Sequence, residues 1–131
     1  MIVIDTSAAV NLILDPGAYR GTPLRTEQGM HAPHLLDVEF LHAMSRLERL
    51  GELTDRQAAA VLTDFGDLRI ERYPHTLLRD RVWELRHNLS AYDAAFIALA
   101  EDLGLPLVTA DASLGRSPGH NAEVIVVEAA S

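Results

Sequence analysis

The sequence predicts an α/β fold in which a parallel sheet is covered by helices on both faces. Three observations carry that prediction. Ile2-Val3-Ile4 is an all-apolar, β-branched run, as expected of a strand buried on both faces. Strand-like runs alternate with helical patterns along the chain, the order that builds parallel crossover units. The stretch from Ser90 to Ala100 is apolar on almost every side if helical, which belongs in a buried layer.

Taken in order, Asp5 ends the first strand, and Thr6 or Ser7 can cap a helix running to about Leu14, stopped by Asp15-Pro16-Gly17. Tyr19 to Gly29 is polar and broken by Gly21, Pro23 and Gly29, so it reads as a loop with at most a short turn. Met30-His31-Ala32 reads as a brief strand before Pro33. Leu36, Phe40, Ala43, Met44, Leu47 and Leu50 carry the spacing of an amphipathic helix that Gly51 ends. Thr54 with Gln57 matches a capping box for a helix through about Phe65.

Leu68 to Tyr73 alternates and suits an edge strand. His75 to His87 reads as a helix with Leu78, Val82, Trp83 and Leu85 turned inward; Trp83 and Tyr92 are assigned to the core, with base stacking as the other use of such rings. Ser90 caps the apolar helix, and Asp93 three residues later resembles the acid of a capping box; Gly104 and Pro106 stop it. Leu107-Val108-Thr109 is a strand, Ala110 to Ser113 opens a turn or short helix, and Glu123 to Val127 is a last strand. With no repeat or linker, residues 1–131 read as a single domain.

Composition removes several chemistries. There is no cysteine, hence no disulfide, thiolate metal site or thiol nucleophile. All 11 basic residues are arginines, so no P-loop, Schiff-base or general-base lysine exists. The first residues lack a basic signal region, and no stretch is long and apolar enough to span a membrane, so a soluble, cytoplasmic protein is expected. A net charge of −8 opposes nucleic-acid binding unless acids hold cations that invert the local field.

In parallel α/β units the ends of strands and the starts of helices share one edge of the sheet. Asp5 and Asp111 follow strands, while Glu39 and Asp93 lie in the first turns of helices, so all four belong to that edge. Singly, each reads as well as a cap, an Asx turn or a dipole-stabilising charge. Together, unpaired carboxylates would repel one another unless something positive joined them. An oxygen-only set points to Mg²⁺ or Mn²⁺, and carboxylate-held ions of that kind suit phosphodiester hydrolysis by a metal-activated water. Asp37, two residues before Glu39, faces another way and is read as a solvated or helix-start acid.

At these residues the chain resembles a known family. Ile2-Val3-Ile4-Asp5-Thr6-Ser7-Ala8 looks like the opening of PIN-domain nucleases; Leu35-Leu36 with Glu39, Tyr92-Asp93-Ala94, and Val108-Thr109-Ala110-Asp111 follow in that family's order. The chain's size is similar to VapC toxins of bacterial toxin–antitoxin pairs. The resemblance implies a three-layer α/β/α PIN-like fold with sheet order 3-2-1-4-5. It implies metal-dependent endoribonuclease cleavage of structured RNA such as tRNA or rRNA, with Asp5, Glu39, Asp93 and Asp111 as catalytic metal ligands. Thr6 and Thr109 stand where the family has hydroxyls that help orient ligands. The implied partner is a small VapB-type antitoxin, and the implied assembly a homodimer or toxin–antitoxin hetero-oligomer. Many relatives carry a further acid after the position of Asp111, where this chain runs Ala112-Ser113-Leu114-Gly115-Arg116. One firmly held ion is therefore expected, with a second arriving with RNA phosphate.

Arg79, Arg81, Arg86 and His87 precede Ser90, and Arg116 and His120 follow Asp111. They are either phosphate contacts or surface charge; Arg86 and Arg116 are the candidates for RNA binding. His31, His34 and His42 lack a paired metal spacing and are read as structural. The rival functional reading is a non-catalytic PIN-like module that binds a partner, which a metal-dependent RNA digestion assay separates. An aspartyl phosphatase would want a second Asp where Ser7 stands, and a phosphorelay receiver would need a lysine.

Overall fold

The computed structural model describes residues 1–19 and 29–127. The expected loop between Tyr19 and Gly29 therefore falls almost wholly outside the described residues. Five strands, β1 (Ile2–Ile4), β2 (Met30–Pro33), β3 (Ile70–Tyr73), β4 (Leu107–Thr109) and β5 (Val124–Val126), form one parallel sheet in the order β3-β2-β1-β4-β5. This is the expected 3-2-1-4-5 order, with β3 at an edge. The helices are α1 (Thr6–Leu14), α2 (Leu35–Arg49), α3 (Asp55–Asp67), α4 (Arg79–Glu84), α5 (Ala91–Leu103) and α6 (Ala112–Gly115).

The strand order reverses direction at β1. Right-handed crossovers then put the helices leading from β1 to β3 on one face and those leading from β3 to β5 on the other. Accordingly α1 packs on α2, α3 and β4, while α5 lies along β1, β2 and β4 with α4 outside it. Every residue from Ala94 to Ala100 is buried, as an all-round apolar helix requires. Phe40 of α2 and Phe65 of α3 stack with ring centroids 3.8 Å apart.

Four local expectations are corrected. The cap of α1 is Asp5, whose carboxylate accepts from the Ala8 amide at 2.9 Å, and not Thr6 or Ser7. The segment from His75 to His87 is a 3₁₀ turn (His75–Leu77) followed by the short α4 and further turns. Its inner face is set by Leu78, Val82 and Leu85. At 100° per residue Trp83 lies about 140° away from Leu78, so its ring is 66% exposed, with the Arg86 guanidinium 4.4 Å from its centroid. Tyr92, also assigned to the core, is 62% exposed because it sits two positions ahead of the buried run of α5. Asp37 is in the first turn of α2, but it is not a free surface acid: Arg72 of β3 grips both its oxygens at 2.9 Å.

Arg81, weighed above as a phosphate contact, is also committed elsewhere. Its Nε and Nη2 donate to the two oxygens of Glu101 at 2.7 and 2.9 Å, tying α4 to α5. Glu101 also accepts from the Asn121 amide at 2.7 Å, and the Arg81 bond above all holds its carboxyl below the usual range. Because that pKa is depressed, the stability it contributes is present above the ordinary value of 4.5 and is lost as pH falls through the folded one. Glu101→Gln is expected to cost about 2 kcal/mol at neutral pH. Thermal melts should show the gap to wild type closing as the pH is brought down into the acid range.

Candidate metal and active site

The candidate site forms where β1 and β4 run side by side at the point where the sheet order reverses. Asp5 follows β1 and is only 6% exposed. One of its oxygens accepts from the Ala8 amide at 2.9 Å and the Ser7 hydroxyl at 2.8 Å; the other accepts from the Thr109 hydroxyl at 2.5 Å. Thr109 in turn accepts from the Asp111 amide at 3.0 Å, and Ser7 from the Ala110 amide at 2.9 Å. Two short hydroxyl side chains thus lace the turn after β1 to the turn after β4 and fix the Asp5 carboxylate between them. Burial pushes the Asp5 carboxyl up in pKa, the bonds from Thr109, Ala8 and Ser7 oppose that, and the charge of Asp93 adds to it.

Glu39 stands in the second turn of α2, one turn later than expected, and its Oε1 accepts from the Thr6 hydroxyl at 2.7 Å. Asp93 is partly buried in the first turn of α5. Its amide donates to the Ser90 hydroxyl at 3.1 Å, yet the return bond that completes the box at Thr54 and Gln57 is not made at Ser90. The Asp93 carboxylate is left facing the cleft, its pKa raised by burial first and by Asp111 second. Asp111 is exposed and caps α6: the Ser113 hydroxyl and amide donate to it at 2.6 and 2.9 Å. Those bonds, led by the hydroxyl, with a contribution from the charge of Arg116, hold its pKa low.

Asp5, Glu39, Asp93 and Asp111 all line one cleft of about 1130 Å³. Among the described residues, however, no three His, Asp or Glu side chains converge as a ready-made metal cage. The hydrogen bonds give a physical reason. Asp5 and Asp111 each accept from donors at the start of their own helix, which fixes where their oxygens point. Cap and site acid are thus the same residues here.

Neither Arg86 nor Arg116 lines the cleft. Arg86 donates to the Trp83 carbonyl at 2.9 Å and stacks on its ring, while Arg116 acts on Asp111 through its charge. The basic residues on the cleft wall are His42 and Arg46, three and seven positions after Glu39 on one face of α2. That spacing was available in the sequence as a signal. Ser7 was also missed as a supporting residue; its signal was a second hydroxyl directly after Asp5-Thr6.

Comparisons with known proteins agree with this architecture. The PIN domain family matches residues 2–119. The chain is 42% identical over 130 residues to ribonuclease VapC9 of Mycobacterium tuberculosis, covering 97% of this chain and 98% of that protein. It is 40% identical over 130 residues to ribonuclease VapC1 of the same organism, covering 95% and 96%. The crystal structure of VapBC2 from Rickettsia felis, bound to a DNA fragment from its promoter, superposes with a TM-score of 0.66 at 17% identity, covering 98% of this chain and all of that one (100%). On the family match and the two relatives, the chain belongs to the PIN-domain family and, within it, to the VapC ribonucleases.

Proposed function

We propose that this VapC ribonuclease is a Mg²⁺- or Mn²⁺-dependent endoribonuclease toxin that hydrolyses phosphodiester bonds in structured RNA such as tRNA or rRNA. The observation that carries the reading is the arrival of four carboxylates, from four separate segments, on one cleft at the sheet's switch point. Burial above all, with the charge of a neighbouring acid, raises two of them, Asp5 and Asp93, which supports a site suited to a cation.

The donor set fits such an ion: all four are hard oxygen ligands, and the Asp5 oxygen that accepts from Thr109 keeps a lone pair beyond that bond. Asp5, Glu39, Asp93 and Asp111 would hold the ion. When bound, it lowers the pKa of a water and offsets charge on the phosphate oxygens. Ser7 and Thr109 orient Asp5, and Thr6 orients Glu39. Beyond Asp111 the turn offers Ser113 in place of another acid, which supports one firmly held ion and a second recruited with RNA phosphate. Calorimetric titration with Mn²⁺ in the absence of RNA is expected to give one tight site; two would overturn that count. Purified protein is expected to cut total tRNA or rRNA with Mg²⁺ or Mn²⁺ and not with excess EDTA. RNA left intact in both conditions would refute the catalytic reading.

The cleft extends over apolar side chains of α1, of α2 and of the residue that ends α2, including Leu14, Val38 and Leu50, of which Val38 is 67% exposed. With a VapBC pair among its structural relatives, this surface supports a VapB-type antitoxin as partner, within a hetero-oligomer or beside a homodimer. Among the described residues no helix is long and apolar enough to cross a membrane, and a cytoplasmic site of action is part of the proposal.

A further inference from the structure

The cleft poses an electrostatic problem. Its catalytic end is acidic and the chain carries a net charge of −8, so the overall field of the protein does not hold the RNA on either side of the bond to be cut. Held ions would relieve this only at the scissile phosphate. Two side chains of the cleft answer the remaining need. We propose, on the basis of the ribonuclease reading above, that Arg46 takes a backbone phosphate and Tyr92 stacks a base of an unpaired RNA segment.

Arg46 lies on the wall of the cleft, two turns along α2 from Glu39 on the same face. At 1.5 Å per residue that is about 10 Å along the axis, too far for the scissile phosphate and suited to a neighbouring one. Its guanidinium is exposed and makes no ion pair or hydrogen bond among the described residues, whereas Arg72 and Arg81 are each locked onto a carboxylate. A cation in the last turn of α2 also suits the helix dipole. That accounts for a positive charge at this height of the helix, but not for its standing on the acidic cleft.

Tyr92 carries the second half. It lines the cleft beside Asp93 and is 62% exposed, although the helix it opens is otherwise the most buried in the molecule. Base stacking on an aromatic ring needs no opposite charge, so it supplies affinity that this acidic surface does not. It also requires a base free of its own stack, which selects loops and unpaired ends over duplex.

The test uses Asp5→Asn protein, expected to bind without cutting, and an RNA hairpin whose loop the wild type cleaves. Adding Arg46→Gln is expected to lower the slope of log affinity against log salt by about 0.7, one phosphate contact on a single strand. Adding Tyr92→Ala is expected to weaken binding by about five- to 150-fold with the slope unchanged, and Tyr92→Phe to restore it. An abasic nucleotide moved through the loop should find one position where Tyr92→Ala costs nothing further. Both side chains are exposed, so the variants should fold, as circular dichroism will show.

Unchanged slope and affinity in both variants overturn the proposal. So does equal binding of a blunt duplex, or a Tyr92→Ala effect confined to the mass of the free protein, which would make the ring a contact between copies. A wild type that leaves the hairpin intact with Mg²⁺ and Mn²⁺ removes the ribonuclease reading itself, and this proposal with it.

Discussion

Asp5→Asn is expected to yield a folded protein whose RNA cleavage is slower by about a thousandfold or more. The fold should survive because the amide oxygen can keep the bonds from the Ala8 amide and the Ser7 hydroxyl. The amide nitrogen then faces Thr109, whose hydroxyl now donates to Asp5 and accepts from the Asp111 amide. A hydroxyl has a second lone pair, so it can turn and accept from the new donor. The cap of α1 is therefore retained and the charge alone is lost. That charge is the most enclosed of the four, and an ion held by the remaining three acids would lose its deepest ligand. Cleavage of tRNA or rRNA with Mg²⁺ or Mn²⁺, alongside a thermal melt, checks both halves. A folded variant that cuts like wild type would take Asp5 out of the metal set.

How far the sequence foretold this site depends on the kind of information each residue needed. The strands at Ile2 and Leu107 and the helix after Ser90 were legible because unbroken apolar runs leave few other places for them. Given parallel topology, the edge on which Asp5, Glu39, Asp93 and Asp111 fall follows from where they stand relative to strand ends and helix starts. Side-chain partnerships were not legible. Thr109 reaches Asp5 across 104 positions and Arg72 reaches Asp37 across 35, and no local pattern announces either. Arg86 was a candidate for RNA because it precedes Ser90; it stacks on Trp83, displaced from the inner face of α4, and does not line the cleft. Arg46 stands seven positions after Glu39, a spacing the sequence contains, but that this face of α2 lines the cleft was not legible from it.

Asp93→Asn should act on stability and activity in opposite directions. In the metal-free protein two effects compete at this position. A carboxylate in the first turn of α5 gains from the helix dipole, by about 0.3–1 kcal/mol; partial burial and the nearby charge of Asp111 work against it. Burial and Asp111 raise the carboxyl above its ordinary 3.8, and these penalties are expected to exceed the gain from the dipole. A raised folded pKa means that this group favours the native state fully below 3.8 and ceases to do so as pH climbs through the folded value. The neutral Asn escapes that loss. Without divalent ions, the variant should melt above wild type by roughly 2–5 °C at neutral pH, and the difference should shrink as the pH is lowered towards 4. With Mn²⁺ the order should invert. Wild type gains about 2.7 kcal/mol at an ion concentration near one hundred times Kd, while the variant, one ligand short, gains much less and cuts RNA at least about a hundredfold more slowly. Melts of both proteins with EDTA and with Mn²⁺, repeated across pH, decide the matter. If Asp93→Asn destabilises the metal-free chain, the carboxylate is a helix-start charge; if it leaves the Mn²⁺ gain untouched, the ion is held without it.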